Sequence, residues 1–280
     1  MSTQYHISHQ SFGQSSTLAD TLVIGFSKYE MSFCEIQSET NSILNVQSQL
    51  VDTTLNQSLT EQLTLALNQL GFIKKNYLHV IITIIDDSFT LCPEALYDEA
   101  NARNLLEFNC GNTTLKPIIS NNINASVKLI FCLDEELKSF FNRVFPQHQV
   151  KHQVTLLAQL FLTSEEFNHQ QLLLSVNENS INIILKQEQQ LVLANHYQAK
   201  TTEDVLYYLL FVMEQYQLDP VSTGLSIVGN IASTDALLVQ LKKYIKHVRL
   251  AVGHKSINWQ SVTGMPQHFY FNLTNSIFCE

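Results

Sequence analysis

Leu22–Gln37 reads LVIGFSKYEMSFCEIQ, and Leu172–Lys186 reads LLLSVNENSINIILK. Each is a pair of short apolar runs joined by a polar turn, the pattern of a β-hairpin. The segments after the two hairpins are alike. After the first come a strand at Ser42–Val51, a helix at Thr60–Leu70 (TEQLTLALNQL), and buried strands at His79–Asp86 (HVIITIID) and Val127–Leu133 (VKLIFCL). After the second come a strand at Leu191–His196, a helix at Asp204–Tyr216, a buried strand at Leu225–Val228, a helix at Asp235–Ile245 and a strand at Val248–Val252. A β-β-β-α-β-α-β order met twice predicts an α/β fold of two like halves, with a ligand cleft between them.

The first 19 residues are polar, rich in Ser, Gln and His and without period, so residues 1–19 are expected to form a flexible arm. The first half is expected over 20–150 and the second over 151–280. An insertion at about 89–120 interrupts the first. There Pro93 suits the first turn of a helix whose apolar residues are Ala95, Leu96, Ala102, Leu105 and Leu106, and Leu115–Ser120 adds a strand. Asp134–Phe145 is a helix with Asp134 as N-cap and Pro146 as stop, and Val150–Phe161 connects the halves by a strand and a helix. Thr202 is expected to cap the helix ended by Asp219-Pro220. Its apolar residues, Val205 to Met213, run nearly round the circumference, which suits a helix between layers or at an interface. An aromatic tail with Trp259, Phe269, Tyr270, Phe271 and Phe278 follows Gly253 and is expected to pack over one domain.

Sixteen basic against twenty-five acidic residues give a net charge of −9, and no window forms a basic stripe with interleaved aromatics. No nucleic-acid partner is expected. The most apolar stretch, Val205–Met213, is too short to span a bilayer, and no signal peptide is read. Five cysteines without CxxC spacing imply buried free thiols and a cytoplasmic location, where the Asn-x-Ser/Thr matches at Asn112, Asn124 and Asn272 carry no meaning. His148, His152 and His169 lack ligand spacing and are read as surface or loop residues. No Walker, GxSxG, HExxH or Cys/His metal pattern is present.

The duplicated order and its two hairpins resemble the actin-like ATPase superfamily, which includes actin, the chaperone ATPases, sugar kinases and the actin-like proteins of type IV pili and type II secretion. FTLCPEALYDEANARNLLEFN, TTEDVLYYLLFVMEQYQLDP and LKKYIKHVRL resemble, more narrowly, a Bacteroidetes family of unassigned function. The resemblance implies duplicated ribonuclease H-like halves, each a mixed sheet flanked by helices.

Active members of the superfamily carry Asp-x-Gly in the first hairpin, a carboxylate to orient the metal and a turn to meet the phosphates. Here the Asp falls at Gly25 and the Gly at Ser27. Gly25, Ser27 and Lys28 retain donors for an anion, without the carboxylate. The second hairpin has Asn177 and Asn179 where its Asp-x-Gly would be, residues that keep a turn but bind no metal. The adenosine turn, a Gly-Gly pair after a buried strand, is Gly229-Asn230, with Ser233 or Thr234 to cap the next helix. Asp86-Asp87 closes a buried strand, and Asp86 or Asp87 is the candidate for any general base. The candidate ligand residues are therefore Gly25, Ser27, Lys28, Asp86, Asn177, Gly229 and Asn230.

Neither a catalytic residue nor a metal ligand is assigned, and the motifs do not support ATP with magnesium. The reading is a non-catalytic actin-like binding or assembly module with a degenerate nucleotide cleft. A divergent ATP-binding kinase or ATPase drawing on Glu30, Asp86 or Glu178 stays open, as do a peptide-binding adaptor like those of pili and secretion, and a homo-oligomer.

Overall fold

The computed structural model describes residues 10–111, 113, 116–229, 231, 232 and 234–279. The chain folds into two compact units. One, the first unit, holds the described residues up to Leu156 with 256–264 and 272–279. The other, the second unit, holds Leu157–Lys255 and Met265–Phe271. The tail assigned by sequence to the second half is thus shared. Asn258 accounts for part of this, since its N–H donates to the Asn41 carbonyl and its amide to Ser42 Oγ.

The first unit begins with β1 (Gln10–Gly13), β2 (Thr21–Phe26), β3 (Glu30–Gln37) and β4 (Ser42–Leu50). Part of the expected arm is therefore a strand: β1 runs antiparallel to β4. Lys75 fixes the chain after β1 by donating to Ser15 Oγ and the Ser16 carbonyl, bonds that composition does not reveal. Helix α1 (Leu59–Gln69) opens on a capping box between Ser58 and Glu61 and buries Leu63, Ala66 and Leu67. Strand β5 (His79–Ile84) lies parallel to β2.

The insertion comes next. Phe89–Pro93 forms β6, then come α2 (Ala102–Cys110), β7 (Ile118–Asn124) and β8 (Val127–Cys132), and the three strands make a separate antiparallel sheet in the order β6-β8-β7. Pro93 is the last residue of this edge strand, a position that tolerates a missing N–H, and it also caps a short 3₁₀ helix, Glu94–Leu96, in place of the longer helix expected from Ala95 to Leu106. Val127–Leu133, expected in the main sheet, belongs to this smaller one. The strand that completes the first repeat is β9 (His148–His152), after α3 (Glu135–Val144), whose N-cap is the expected Asp134. The resulting main sheet is ordered β1-β4-β3-β2-β5-β9.

Helix α4 (Gln153–Thr163) contains the boundary at Leu156 and Leu157. Beyond it lie β10 (Leu172–Val176), β11 (Ser180–Gln187), β12 (Gln190–Gln198), α5 (Thr202–Gln215), β13 (Gly224–Gly229), α6 (Ala236–Tyr244) and β14 (His247–Leu250). Their sheet is ordered β12-β11-β10-β13-β14, the order of β4-β3-β2-β5-β9 repeated. Phe26 and Met31 in the first hairpin answer to Val176 and Ile181 in the second, 150 residues on. Both third strands slip register at the corresponding place, between Glu35 and Ile36 and between Leu185 and Lys186.

Alternate residues of β10 and β11 (Leu172, Leu174, Val176, Ile181, Ile183 and Leu185) form one core with Val205, Leu209, Val212 and Met213 of α5 and Leu237, Leu238 and Leu241 of α6. Burying each such side chain contributes about 1.5–3 kcal/mol. The outer side of α5 is not covered within this unit: Tyr207 and Phe211 are exposed and their rings are stacked at 6.2 Å. Two caps differ from expectation. Thr201, not Thr202, caps α5, and Asp235 caps α6 by accepting from Leu237 N–H. Ser233 lies outside the described residues.

Candidate functional site

In the first unit a cavity of about 340 Å³ opens at the carboxyl ends of β2 and β5, where open α/β sheets commonly hold their ligands. Phe26, Ile84, Ile85, Leu59, Leu133 and Leu137 supply apolar walls. Ser27, Lys28, Thr60, Asp86, Lys116, Cys132, Asp134 and Glu136 supply polar groups. Three expected ligand residues, Ser27, Lys28 and Asp86, therefore meet in one cavity.

Asp86 is held there firmly. Its Oδ1 accepts from Ser88 N–H at 3.0 Å, and its carbonyl lies 3.1 Å from Nε2 of His152. His152 is fully buried against the rings of Phe89 and Phe131, and its Nδ1 accepts from Val154 N–H. It is thus a core residue fixing the strand end, not the surface residue expected from its spacing. Burial, then the neighbouring carboxylate of Asp87, raises Asp86 above the ordinary carboxylate range. Asp87 also faces Lys28, 3.7 Å away. Burial works against the Lys28 ammonium, but Asp87, Tyr29 and Asp86 together raise its pKa.

The hairpin turn is closed on itself. Ser27 N–H donates to the Glu30 carbonyl, and Ser27 Oγ accepts from the N–H groups of Tyr29 and Glu30. The amides of Ser27, Tyr29 and Glu30 are thus engaged within the turn. The helix starts at the cavity are capped by side chains. Asp134 accepts from Glu136 N–H, Ser58 and Glu61 cap each other, and Ser58 Oγ donates to Glu136 at 3.1 Å.

Gly25 does not line the cavity. A Cβ built on it would lie 2.4 Å from Ser32 Oγ and 2.9 Å from Cδ2 of Leu273. A side chain at this position would run into an aliphatic side chain from the tail, which the spacing of the hairpin alone does not disclose.

Asn177 and Gly229 belong to the second unit. Asn177 closes its hairpin through Ser180, as Ser27 does through Glu30. Gly229 has φ +105°, and a Cβ there would meet the Val176 carbonyl at 2.1 Å, so this turn requires glycine. Its N–H donates to the His268 carbonyl, while His268 Nε2 lies 2.7 Å from the Ile231 carbonyl. Burial lowers the His268 pKa, the orientation of a neutral ring donating to that carbonyl. Asn230 lies outside the described residues. Sequence reading missed Thr60, Lys116, Cys132, Asp134 and Glu136 as cavity residues. The signal for some was available, since Ser58 and Asp134 mark helix starts that follow strands of the first half.

Among the described residues no group of three or more His, Cys, Asp or Glu side chains could hold a metal ion, and no helix is long and apolar enough to cross a membrane.

Residues 9–248 match the family described as Protein of unknown function (DUF3822), and the chain belongs to that family. Among solved structures it is similar to a protein of Bacteroides thetaiotaomicron VPI-5482 with an actin-like ATPase fold and unknown function. The two are 27% identical over 93% of this chain and 96% of that one, with a TM-score of 0.77. A PilM-PilN type IV pilus biogenesis complex is similar at 9% identity over 92% of this chain and 98% of that one, with a TM-score of 0.60, a likeness of fold. No curated protein matches the sequence. The fold is the duplicated actin-like one, two mixed sheets flanked by helices.

Proposed function

We propose that this protein is a non-catalytic actin-like binding module that engages a protein or peptide segment. One observation carries the reading: Gly25 stands where active members of the fold place their metal-orienting Asp, and Leu273 fills the space above it. Phosphoryl transfer rests on positioning and on neutralising charge with metal, so a site without that carboxylate lacks the means to hold the reacting groups. The closed turn at Ser27–Glu30 and the engaged N–H of Gly229 support the same conclusion. The cavity beside the first hairpin, with apolar walls and a mixed-charge rim, suits a side chain of a partner segment. The pilus relative of this fold is a complex of two proteins, PilM and PilN, which is consistent with a fold serving as one partner. The reading includes a reducing cytoplasmic setting, in keeping with five free cysteines. It also includes self-association through the exposed Tyr207 and Phe211, for which sedimentation is the test.

A ligand that binds only the folded form raises its apparent stability. The melting temperature is therefore expected to stay unchanged in millimolar ATP with magnesium, and phosphate release to stay at background. Magnesium-dependent turnover abolished by Asp86→Asn would sink the reading. For the binding role, wild-type protein and the cavity-blocking variant Thr60→Trp are compared as baits in the native cell extract. A partner held by the first and lost by the second is the expected result.

One observation favours a second reading, a divergent nucleotide-binding enzyme: Ser27, Lys28 and a carboxyl raised by burial line a single cavity. The same melting experiment decides between them.

A further inference from the structure

The middle of the first sheet carries a polar row. Ladder register places Ser48, Ser32, Gly25, Thr83 and Lys151 side by side on β4, β3, β2, β5 and β9. Residues in register on neighbouring strands point to one face. All five are buried, with Thr83 at 0% and Lys151 at 7% exposure. The hydroxyl of Thr83 has no hydrogen-bond partner among the described residues.

Residues 272–279 meet this row at two points. Leu273 fills the hole above Gly25, and Lys151 Nζ donates to the Cys279 carbonyl at 3.2 Å. The segment is itself polar and buried at Asn272, Thr274, Asn275 and Ser276, and the amide nitrogen of Asn272 has no hydrogen-bond partner among the described residues. It is entered through Tyr270, whose φ of +41° is in the left-handed region that a bulky residue rarely adopts. An orphaned polar atom on each side and a strained entry residue mark a contact that is not optimised for permanence.

We propose that residues 272–279 are a strap that lifts from the first sheet as a unit, and that the row beneath is a docking groove for a peptide segment of like chemistry. The occupant in place defines that chemistry. It presents an aliphatic side chain to the hole above Gly25 and, six residues on, a backbone carbonyl to Lys151. A segment from a partner that also reaches the Thr83 hydroxyl displaces the strap by mass action. This groove is separate from the cavity beside the hairpin and does not depend on what that cavity binds.

Hydrogen exchange on the full chain is the first test. The amides of 272–279 are expected to exchange through local opening, roughly 100-fold faster than those of β2 and β5. Protection equal to those strands overturns the proposal. A chain ending at residue 270 is then mixed, under reducing conditions, with the synthetic peptide of residues 271–280. The peptide is expected to raise the melting temperature of the shortened chain, and the same peptide with Leu273→Ser is not. Equal rescue by both peptides, or rescue by neither, overturns the groove. If the shortened chain does not fold, the full chain decides. Added peptide must accelerate alkylation of Cys279 by displacing the strap, and an unchanged rate counts against the groove.

Discussion

At the scale of single residues, the positions that look least chemical are the most constrained. Gly229 combines a left-handed φ with a Cβ direction blocked by the Val176 carbonyl at 2.1 Å. Gly229→Ala is expected to cost about 3 kcal/mol, read by chemical denaturation. Gly25→Asp introduces the residue type that the actin-like resemblance implies for this position, and its carboxylate would be driven into Leu273 and Ser32. The expected outcome is a loss of about 2–4 kcal/mol by overpacking and charge burial, with no gain of magnesium-dependent phosphate release. Lys186 is the converse case, a charge where a core residue belongs. It is 3% exposed, its ammonium donates to the Phe161 carbonyl at 2.6 Å over the Phe161 ring, and burial lowers its pKa to about 8. Below that value the folded chain holds a buried ammonium at a cost. As pH rises from about 8 toward the ordinary lysine value of 10.5, the unfolded chain binds more protons, so stability grows. Lys186→Met is therefore expected to stabilise by about 2 kcal/mol at pH 7, with the gain fading near pH 10.5 in melts recorded across pH.

At the scale of elements, β1 and the connection after it show how a polar segment becomes ordered. Glu35 is fully buried in β3 and accepts from Lys75 at 2.6 Å, Tyr77 at 2.8 Å and Asn45 at 3.0 Å. Burial alone would raise its pKa, but the bonds from Lys75, Ser15, Asn45 and Tyr77 outweigh that and hold it below the ordinary value. A depressed carboxylate stabilises above its unfolded pKa and loses that contribution as pH falls through the folded one. Glu35→Gln is expected to cost about 3 kcal/mol at pH 7, and to flatten the acid limb of the stability curve. Because Lys75 also holds Ser15 and Ser16, proteolysis within residues 10–19 should quicken in that variant. Nothing in the composition of the arm foretells this. The strands and helices of the repeat were legible because they follow apolar periods, and Asp134 as a cap was legible because its chemistry is local. The placement of Val127–Cys132 was not, since a buried strand gives the same apolar run in either sheet.

At the scale of the whole molecule, two units with separate sheets and cores predict that unfolding is not one transition. Trp259, the single tryptophan, lies in 256–264 and so reports on the first unit, whereas far-ultraviolet circular dichroism reports on both. The midpoints of the two signals in denaturant are expected to differ, and coincident curves would show the units to be coupled. The sequence by itself determined the doubled order of strands and helices, because that order is written in local period and residue type, and the actin-like fold entered through the resemblance that the order and its two hairpins carry. The sequence also singled out Ser27, Lys28 and Asp86, which share a cavity. Only the tertiary structure decided that Gly25 is sealed by Leu273, that the amides of Ser27, Tyr29 and Glu30 are engaged, and that His152 is a core residue. Those facts depend on which distant side chain fills a given space, and packing between residues some 250 positions apart, as between Gly25 and Leu273, leaves no mark on the period of either segment.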